Sequence, residues 1–259
     1  MFRNLRELYR YRGLVWALVL RHLATRYRGS LLVFLWSFLN PLCLMLVYVL
    51  VFRFYIRFDQ VEHYTVFVFC GLLPWLWLTS SLQEGTSSIV ASGHLITKSM
   101  FPAHILPAVS VITNLINFLL SIPILLVFMW ALGVKFYSTL LLVPVLVIVQ
   151  CVFLYGATLA LGALNVHFRD VQHIVGNLLT FLFFLCPIIY PVETVPERFR
   201  FTLDYNPLAL ITSFYHKLVL DGALPGSGEF LYVLAASIIM LLAGLGIFNR
   251  YRESFAEVL

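Results

Sequence analysis

Charged residues are scarce in this chain. Only 11% of the 259 residues are Asp, Glu, Lys or Arg, whereas 61% are apolar, and the mean hydropathy is +0.94. Soluble domains carry roughly 25% charged residues. This scarcity excludes an ordinary soluble domain and predicts an integral membrane protein.

The few charges are clustered, so that long stretches between them have none. The uncharged stretches are residues 29–52, 63–83, 99–134, 136–168, 171–192 and 230–249. A bilayer core of about 30 Å is crossed by roughly 20 helical residues. A transmembrane barrel would instead show short strands alternating apolar and polar residues, and residues 140–149 do not alternate. We therefore predict an all-α integral membrane fold of six transmembrane helices.

The predicted spans form a single transmembrane domain covering residues 1–259. They are expected at about residues 31–53, 64–83, 105–132, 139–164, 172–191 and 230–249.

Several catalytic signatures are also missing. The chain has no GxxxxGKS or GxxxxGKT phosphate-binding loop, no GxSxG, no HExxH and no cluster of carboxylates. The uncharged stretches contain no ionisable carboxylate, lysine or arginine, which disfavours an ion-driven transporter. We therefore expect a protein that is not an enzyme, and if it moves a substrate, the energy should come from a partner.

The cysteines show no pattern of a disulfide framework or a metal site. Cys43, Cys70, Cys151 and Cys186 each lie alone in an apolar stretch, without CxxC spacing. This pattern predicts neither a disulfide nor a metal site, and no cofactor is expected on the chain itself.

Basic residues, by contrast, are concentrated before the first span. The cluster consists of Arg3, Arg6, Arg10, Arg12, Arg21, Arg26 and Arg28. Because Lys and Arg beside a span resist translocation, this cluster predicts a cytoplasmic N-terminus. Six spans then place the C-terminus in the cytoplasm too. The net charge of +5 indicates attraction to anionic membrane lipid and not to nucleic acid.

The segment 4–28 has helical periodicity with its arginines mostly on one side. Arg3, Arg6, Arg10, Arg21 and Arg28 fall within a 60° arc, and most apolar side chains lie opposite. An interfacial amphipathic helix is predicted here, which Gly13 would divide in two. The alternative is a simple topology signal with no further role.

The segment 192–229 is mixed in polarity, rich in proline and expected outside, and a plain packed loop is one interpretation of it. Asn206 is suited to N-cap a helix that starts at Pro207 and ends at Asp221-Gly222. An apolar stripe follows at helical spacing: Leu208, Ile211, Tyr215, Leu218 and Val219. About 15 residues are too few to cross, so this helix either re-enters the membrane or packs on its outer surface. Pro187 and Pro191 are expected to bend the fifth span towards it.

Aromatic residues are abundant in the spans. In and after the first span, Phe34, Phe38, Tyr48, Phe52 and Tyr55 share a helical sector about 100° wide. With Phe181 and Phe184 of the fifth span, they are candidates to line a path for sugars, because ring faces attract sugars without gripping one hydroxyl. Ordinary packing and interfacial aromatic belts are the alternatives.

Four motifs in order carry a family resemblance. They are YRGSLL with LWSFLNPL at 27–42, LITKSMFP with ILP at 95–107, NVHFRDV at 165–171, and PIIYP with VP and NPL at 187–208. Together they resemble the membrane subunits of type-2 ABC exporters for O-antigen, capsule and teichoic acid polymers. The usual asparagine ahead of Leu95 is replaced by His94.

The resemblance implies a homodimer with two separate ATPase subunits, which would bind ATP and Mg²⁺. The expected cargo is a glycan on a polyprenyl diphosphate carrier, and the expected location is the cytoplasmic (inner) membrane. It also implies that cytoplasmic loops at 85–101 and 166–172 dock on the ATPase. The candidate docking residues are His94, Leu95, Ile96, Lys98, Phe101, Arg169 and Asp170.

The favoured function is therefore O-antigen export. A capsule or teichoic acid exporter, a small-molecule exporter of the same fold, and a membrane-embedded glycosyltransferase remain alternatives. The last should carry loop carboxylates and arginines for diphosphate chemistry.

Overall fold

The computed structural model describes residues 2–26, 35–55, 57, 61–98 and 101–259. These residues form helices joined by turns and short coils, with no β-strand in the described part of the chain. The prediction of an all-α protein is confirmed there. The α-helices are α1 (Phe2–Arg10), α2 (Arg12–Arg26), α3 (Leu35–Val49), α4 (Tyr64–Ala91), α5 (Gly93–Lys98), α6 (Ile105–Ala131), α7 (Val143–His167), α8 (Val171–Leu185), α9 (Phe201–Asp204), α10 (Pro207–His216), α11 (Ser227–Tyr251) and α12 (Phe255–Val258).

Tighter and wider helical turns extend several of these elements. Turns of π-helix, Leu50–Tyr55 and Lys217–Asp221, continue α3 and α10. A 3-10 turn, Ser138–Leu142, precedes α7, and another, Arg252–Ser254, follows α11. Two more, Val192–Thr194 and Glu197–Phe199, lie between α8 and α9.

Four helices in the described residues are long and apolar enough to cross a membrane. They are Tyr64–Ala91, Ile105–Ala131, Ser138–His167 and Ser227–Ser254, and they match the predicted second, third, fourth and sixth spans. Two shorter apolar helices, Leu39–Tyr55 and Val171–Leu185, match the first and fifth. Residues 31–34 of the predicted first span lie outside the described residues.

The fifth predicted span is shorter than expected. It was expected to run to residue 191 and bend at its prolines, but α8 ends at Leu185, and Cys186 is extended with ψ of 141°. A proline disfavours helical backbone angles in the residue before it. Cys186 therefore leaves the helix, and Leu185 is its last residue. The following coil turns into the bundle, where Tyr64 Oη donates a hydrogen bond of 2.7 Å to Ile189 O.

The centre of the bundle is α4. In its most apolar 18-residue window 78% of the residues are buried, against 22% for α11. It packs against α6 on one side and α7 on another, and α7 in turn packs along α11. Since most side chains of α4 are buried, α4 is the helix around which the others pack.

The α7–α11 contact is very close because both helices present glycine. A methyl group on Gly156 would lie 2.5 Å from Leu241 Cα, and one on Gly244 would collide with Gly156 O. Only glycine permits this approach, which is a recurrent way to pack helices in membranes.

The N-terminal segment forms two helices that break at Tyr11, and not at Gly13 as predicted. Val15 and Val19 of α2 are buried against Ile105 and Val109 of α6. Trp16, on another side of α2, is 54% exposed. Its location at a membrane interface stays a prediction.

The helix predicted after Asn206 is confirmed. The Asn206 side chain accepts a hydrogen bond of 3.0 Å from Leu208 N, and Pro207 is the first helical residue. The extended helix ends at Gly222, which has the left-handed φ of 64° that glycine tolerates. All members of the predicted apolar stripe are buried: Leu208, Ile211, Tyr215, Leu218 and Val219.

A buried hydrogen-bonded chain joins α10 to the middle of the bundle. Tyr215 Oη donates to Gln150 Oε1 at 3.0 Å, and Gln150 Nε2 donates to Pro74 O at 3.0 Å. Nε2 of the next residue, His216, lies 3.0 Å from Phe67 O of α4. Thus α10 is held against α4 by both apolar and polar contacts.

Both ends of the described chain meet at one end of the bundle. Leu8 of α1 and Phe255 of α12 pack on the same cluster as Ile89, near the end of α4, and Val166, near the end of α7. We call this the α5 end, because α5 lies there as well.

Candidate functional site: an aromatic groove and two exposed loops

An open groove of about 350 Å³ lies between α3, α4 and α8. Its lining residues are Leu44, Tyr48, Leu72, Trp75, Leu76, Thr79, Gln83, Leu179, Thr180, Phe183 and Phe184. None of these lining residues carries a charge. The groove therefore offers ring faces, aliphatic surface and neutral polar groups.

Phe183 is the centre of the aromatic part. The ring of Tyr48 stacks on it at 5.3 Å and 26°, and Trp75 meets it edge to face at 5.9 Å and 61°. Phe184 packs edge to face on the same ring at 5.2 Å. Contacts of this kind contribute about 0.5–1.5 kcal/mol each beyond burial, so they fix the relative positions of α3, α4 and α8.

The polar residues that line the groove differ in which of their hydrogen-bonding atoms are still available to a ligand. Thr79 Oγ1 donates to Leu76 O at 3.2 Å, and Thr180 Oγ1 donates to Gly176 O at 3.1 Å. Their hydroxyl hydrogens are thus used within the helices, but their oxygens can still accept. Gln83 is exposed at the same groove. This arrangement suits a hydroxyl-rich, uncharged ligand that slides along rings.

The predicted path residues fall into different places. Tyr48 and Phe184 line the groove, whereas Phe52 packs half-buried on the core. Tyr55, at the end of the π-helical turn, is 74% exposed, and Phe181 on α8 is 63% exposed. Phe34 lies outside the described residues, as does the side chain of Phe38.

Two groove aromatics were not predicted from the sequence. Trp75 belongs to the second span, which was not considered as lining, and Phe183 lies between the two predicted residues of the fifth. The uncharged, aromatic character of residues 63–83 was a usable signal for Trp75. That the Trp75 side chain contacts α8 could not be predicted from the sequence, because the contact depends on which helices are neighbours in the fold.

The first predicted docking loop is shorter than expected. Docking was expected from residue 85 onwards, but α4 continues to Ala91. A methyl group on Gly85 would clash with Thr158 of α7, so this residue is part of the helix packing and not of a loop. Helix continuation also places Glu84 within α4, where Asn114 Nδ2 donates to its carboxylate at 2.8 Å.

The loop proper consists of α5 and the residues after it. His94 is exposed, whereas Leu95 and Ile96 are half-buried, and Ile96 packs on the cluster around Ile89. Phe101 packs half-buried beside α2 and α6. The side chain of Lys98 lies outside the described residues. The docking role of these residues stays a prediction.

The second loop is the turn between α7 and α8. Arg169 and Asp170 are both exposed in it, and Phe168 beside them is 59% exposed. The backbone carbonyl of Asp170 accepts from His173 N and Ile174 N, both at 3.0 Å, which starts α8. Backbone hydrogen bonds thus fix the start of α8, while the side chains of Arg169 and Asp170 remain exposed. Their docking role stays a prediction.

No group of three or more His, Cys, Asp or Glu that could hold a metal occurs in the part of the chain that the structure describes. The described cysteines are all free.

Comparisons with known proteins agree with this architecture. The model of the ABC-2 type transporter family matches residues 13–220. The chain is 44% identical to the O-antigen export system permease protein RfbA of Myxococcus xanthus over 259 residues, 99% of each protein. It is 34% identical to the RfbA protein of Klebsiella pneumoniae over 92% of each. It is also 24% identical to the polysialic acid transport protein KpsM of Escherichia coli, over 92% of this chain and 93% of the relative. The chain therefore belongs to the ABC-2 type transporter family.

Proposed function

We propose that this chain is the membrane subunit of an ATP-driven exporter that moves lipid-linked O-antigen polysaccharide across the cytoplasmic membrane. The observation that carries the proposal is its 44% identity, over essentially the full length, to a protein named as an O-antigen export permease. The uncharged aromatic groove suits such a cargo, because weak stacking contacts guide a glycan without holding it.

Two copies of the chain and two separate ATPase subunits form the working exporter. In one copy Phe184 lines the open groove and is 59% exposed, and Phe181 on the same helix is 63% exposed. A second copy would close the groove into a path. ATP and Mg²⁺ bind to the partner subunits, which contact α5 and the α7–α8 turn.

Each copy crosses the membrane six times, with both termini in the cytoplasm. The four long helices supply four crossings. The other two are α3 with its π-helical turn, and α8 with the coil that reaches Tyr64. Single cysteines at Lys135 and Glu197 should react with an impermeant reagent from outside, whereas cysteines at His94 and Arg169 should react only after the membrane is opened. The opposite labelling pattern would show that the chain is inserted in the opposite orientation.

Gene deletion and complementation test the cargo. Deleting the gene should remove O-antigen from the cell surface and leave lipid-linked glycan inside, and the intact gene should restore export. A copy of the operon with an inactive ATPase subunit is the control and should give the same internal accumulation. Normal surface O-antigen in the deletion strain would refute the proposal.

Capsule export is the second candidate, supported by the 24% identity to a polysialic acid transport protein. The same deletion separates the two candidates, since loss of capsule with intact lipopolysaccharide would favour capsule. Accumulation of unpolymerised repeat units would instead favour a glycosyltransferase.

A further inference from the structure

The segment 252–259 is unusually well packed for a short extension after a long helix. Phe255 is only 1% exposed, and its ring meets Phe248 edge to face at 5.6 Å. It lies in the same buried cluster as Ile89 of α4 and Leu159 of α7. A loose tail would not bury its aromatic residue among three long helices.

One side of this segment is attached to the α7–α8 turn. His167 is the last residue of α7, and its Nε2 lies 2.9 Å from Ser254 Oγ, within hydrogen-bond distance. The His167 ring is 4.9 Å from that of Tyr251 and 6.3 Å from that of Phe255. Arg169 and Asp170 follow directly.

The other side of the segment contacts α5. A methyl group on Gly93 would lie 3.4 Å from Leu259 Cβ, so Leu259 packs on the backbone at the start of α5. Ile96 and Leu259 also border the same buried cluster. Since α5 has only six residues, it cannot be stable by its own hydrogen bonds and depends on such contacts.

We propose that segment 252–259 is a strut that joins α5 to the α7–α8 turn, so that the two ATPase-facing loops move as one unit. The inference rests on the proposed function in taking these loops as the contacts of the ATPase. Phe255, Ser254 and Leu259 are positioning residues: they act through α5 and the turn and do not meet the ATPase themselves. Without the strut, the ATPase would still bind, but its movement during ATP hydrolysis would be transmitted poorly to the transmembrane helices.

A disulfide tests the geometry without any assay of function. In a variant whose native cysteines are replaced by serine, Gly93→Cys with Leu259→Cys should crosslink on oxidation, because a Cβ separation near 3.4 Å is close to that of natural disulfides. Gly93→Cys with Val258→Cys is the matched control, since Val258 is 44% exposed. Failure of the first pair to crosslink in membranes would overturn the proposal.

Phe255→Ala then tests the coupling. Loss of a buried phenylalanine ring should lower the equilibrium constant for docking of the segment by about tenfold or more. Stimulation of ATP hydrolysis by the cargo, and export, should fall as the undocked state becomes populated, while the ATPase subunit still copurifies with the permease. Phe255→Leu should restore most of the activity, and Glu257→Ala, at an exposed position, should behave as wild type.

The two variants combined separate a coupling role from a folding role. In the background of Phe255→Ala, the oxidised 93–259 disulfide should restore coupling, and a reductant should remove it again. Unchanged coupling in Phe255→Ala, or no rescue by the disulfide, would overturn the strut. If the wild-type protein neither binds an ATPase nor exports glycan, the proposed function fails instead, and the disulfide result still reports the position of the segment.

Discussion

The two sides of α4 are built from different residues. Towards α7, small residues bring the helices together: Gly162 approaches Gly85 so closely that a methyl group on it would lie 3.0 Å from Gly85 O. Towards α3 and α8, Trp75 and its aromatic neighbours leave an open groove. Close backbone contact gives a rigid scaffold, whereas the large rings leave an uncharged groove that is open to a ligand. The helix α4 carries both.

The glycine contact between α7 and α11, which belongs to the same rigid scaffold, should tolerate change least. Gly156→Val would push a side chain into the backbone of α11, which cannot move aside as a side chain could. We expect a destabilisation of about 3 kcal/mol, the upper end of the usual cost of overpacking, and loss of most folded protein from the membrane, measured by protein level and thermal unfolding in detergent. Gly246→Val, on α11 with open space around it, is the control. Equal stability of the two variants would mean that α7 and α11 are not in close contact.

The groove side should lose function without losing the fold. Tyr48→Ala removes a ring that stacks on Phe183 in the groove, whereas Tyr55→Ala removes one that is 74% exposed. Because one stacking contact contributes about 0.5–1.5 kcal/mol, export per molecule should fall about 2- to 10-fold in Tyr48→Ala. Surface glycan normalised to permease level measures it. A larger effect in Tyr55→Ala would place the path outside the groove.

Charge exchange at the α7–α8 turn should have a smaller effect. Exchanging Arg169 and Asp170 keeps the net charge but moves each charge by one position in the turn, away from the group that it is proposed to meet. Exposed ion pairs contribute about 0.2–1 kcal/mol, so cargo-stimulated ATP hydrolysis should fall by up to about fivefold. Full activity after the exchange would show that the two side chains are merely solvated.

The smallest effect is expected at the ion pair between α10 and α11. Lys217 Nζ lies 3.0 Å from Glu229 Oε2, but both side chains are substantially exposed, at 35% and 46%. Glu229→Gln should therefore cost less than about 0.5 kcal/mol, a shift in Tm of no more than about 2 °C. A larger shift would show that this outer contact is part of the rigid scaffold and not of its surface.

Much of the architecture was readable from the sequence because charge clusters and uncharged lengths are local properties. The helix after Asn206 is the clearest case: cap, first-turn proline, apolar stripe and final glycine all lie within one segment. The end of α8 at Leu185 also follows from a local rule, since Pro187 excludes the helix from the residue before it. That rule was outweighed by the apolar run, which continues to residue 192.

The groove was only partly readable, because its shape depends on which helices are neighbours. Periodicity placed Tyr48 and Phe52 on one sector of α3, yet one lines the groove and the other packs on the core. The pairing of Phe183 with Trp75 joins residues over a hundred positions apart, and no local pattern contains it. The packing of segment 252–259 was missed for the same reason.

The hydrogen-bonded chain from Tyr215 through Gln150 to Pro74 has a mechanical consequence. Pro74 has no N–H, so α4 lacks one helical hydrogen bond at this level and bends there more easily than elsewhere. The next residue, Trp75, lines the groove. A displacement of α10 would change the hydrogen bond from Gln150 to Pro74 and with it the direction of Trp75. The chain therefore acts as a lever: the buried helix α10 sets the shape of a groove that it does not line.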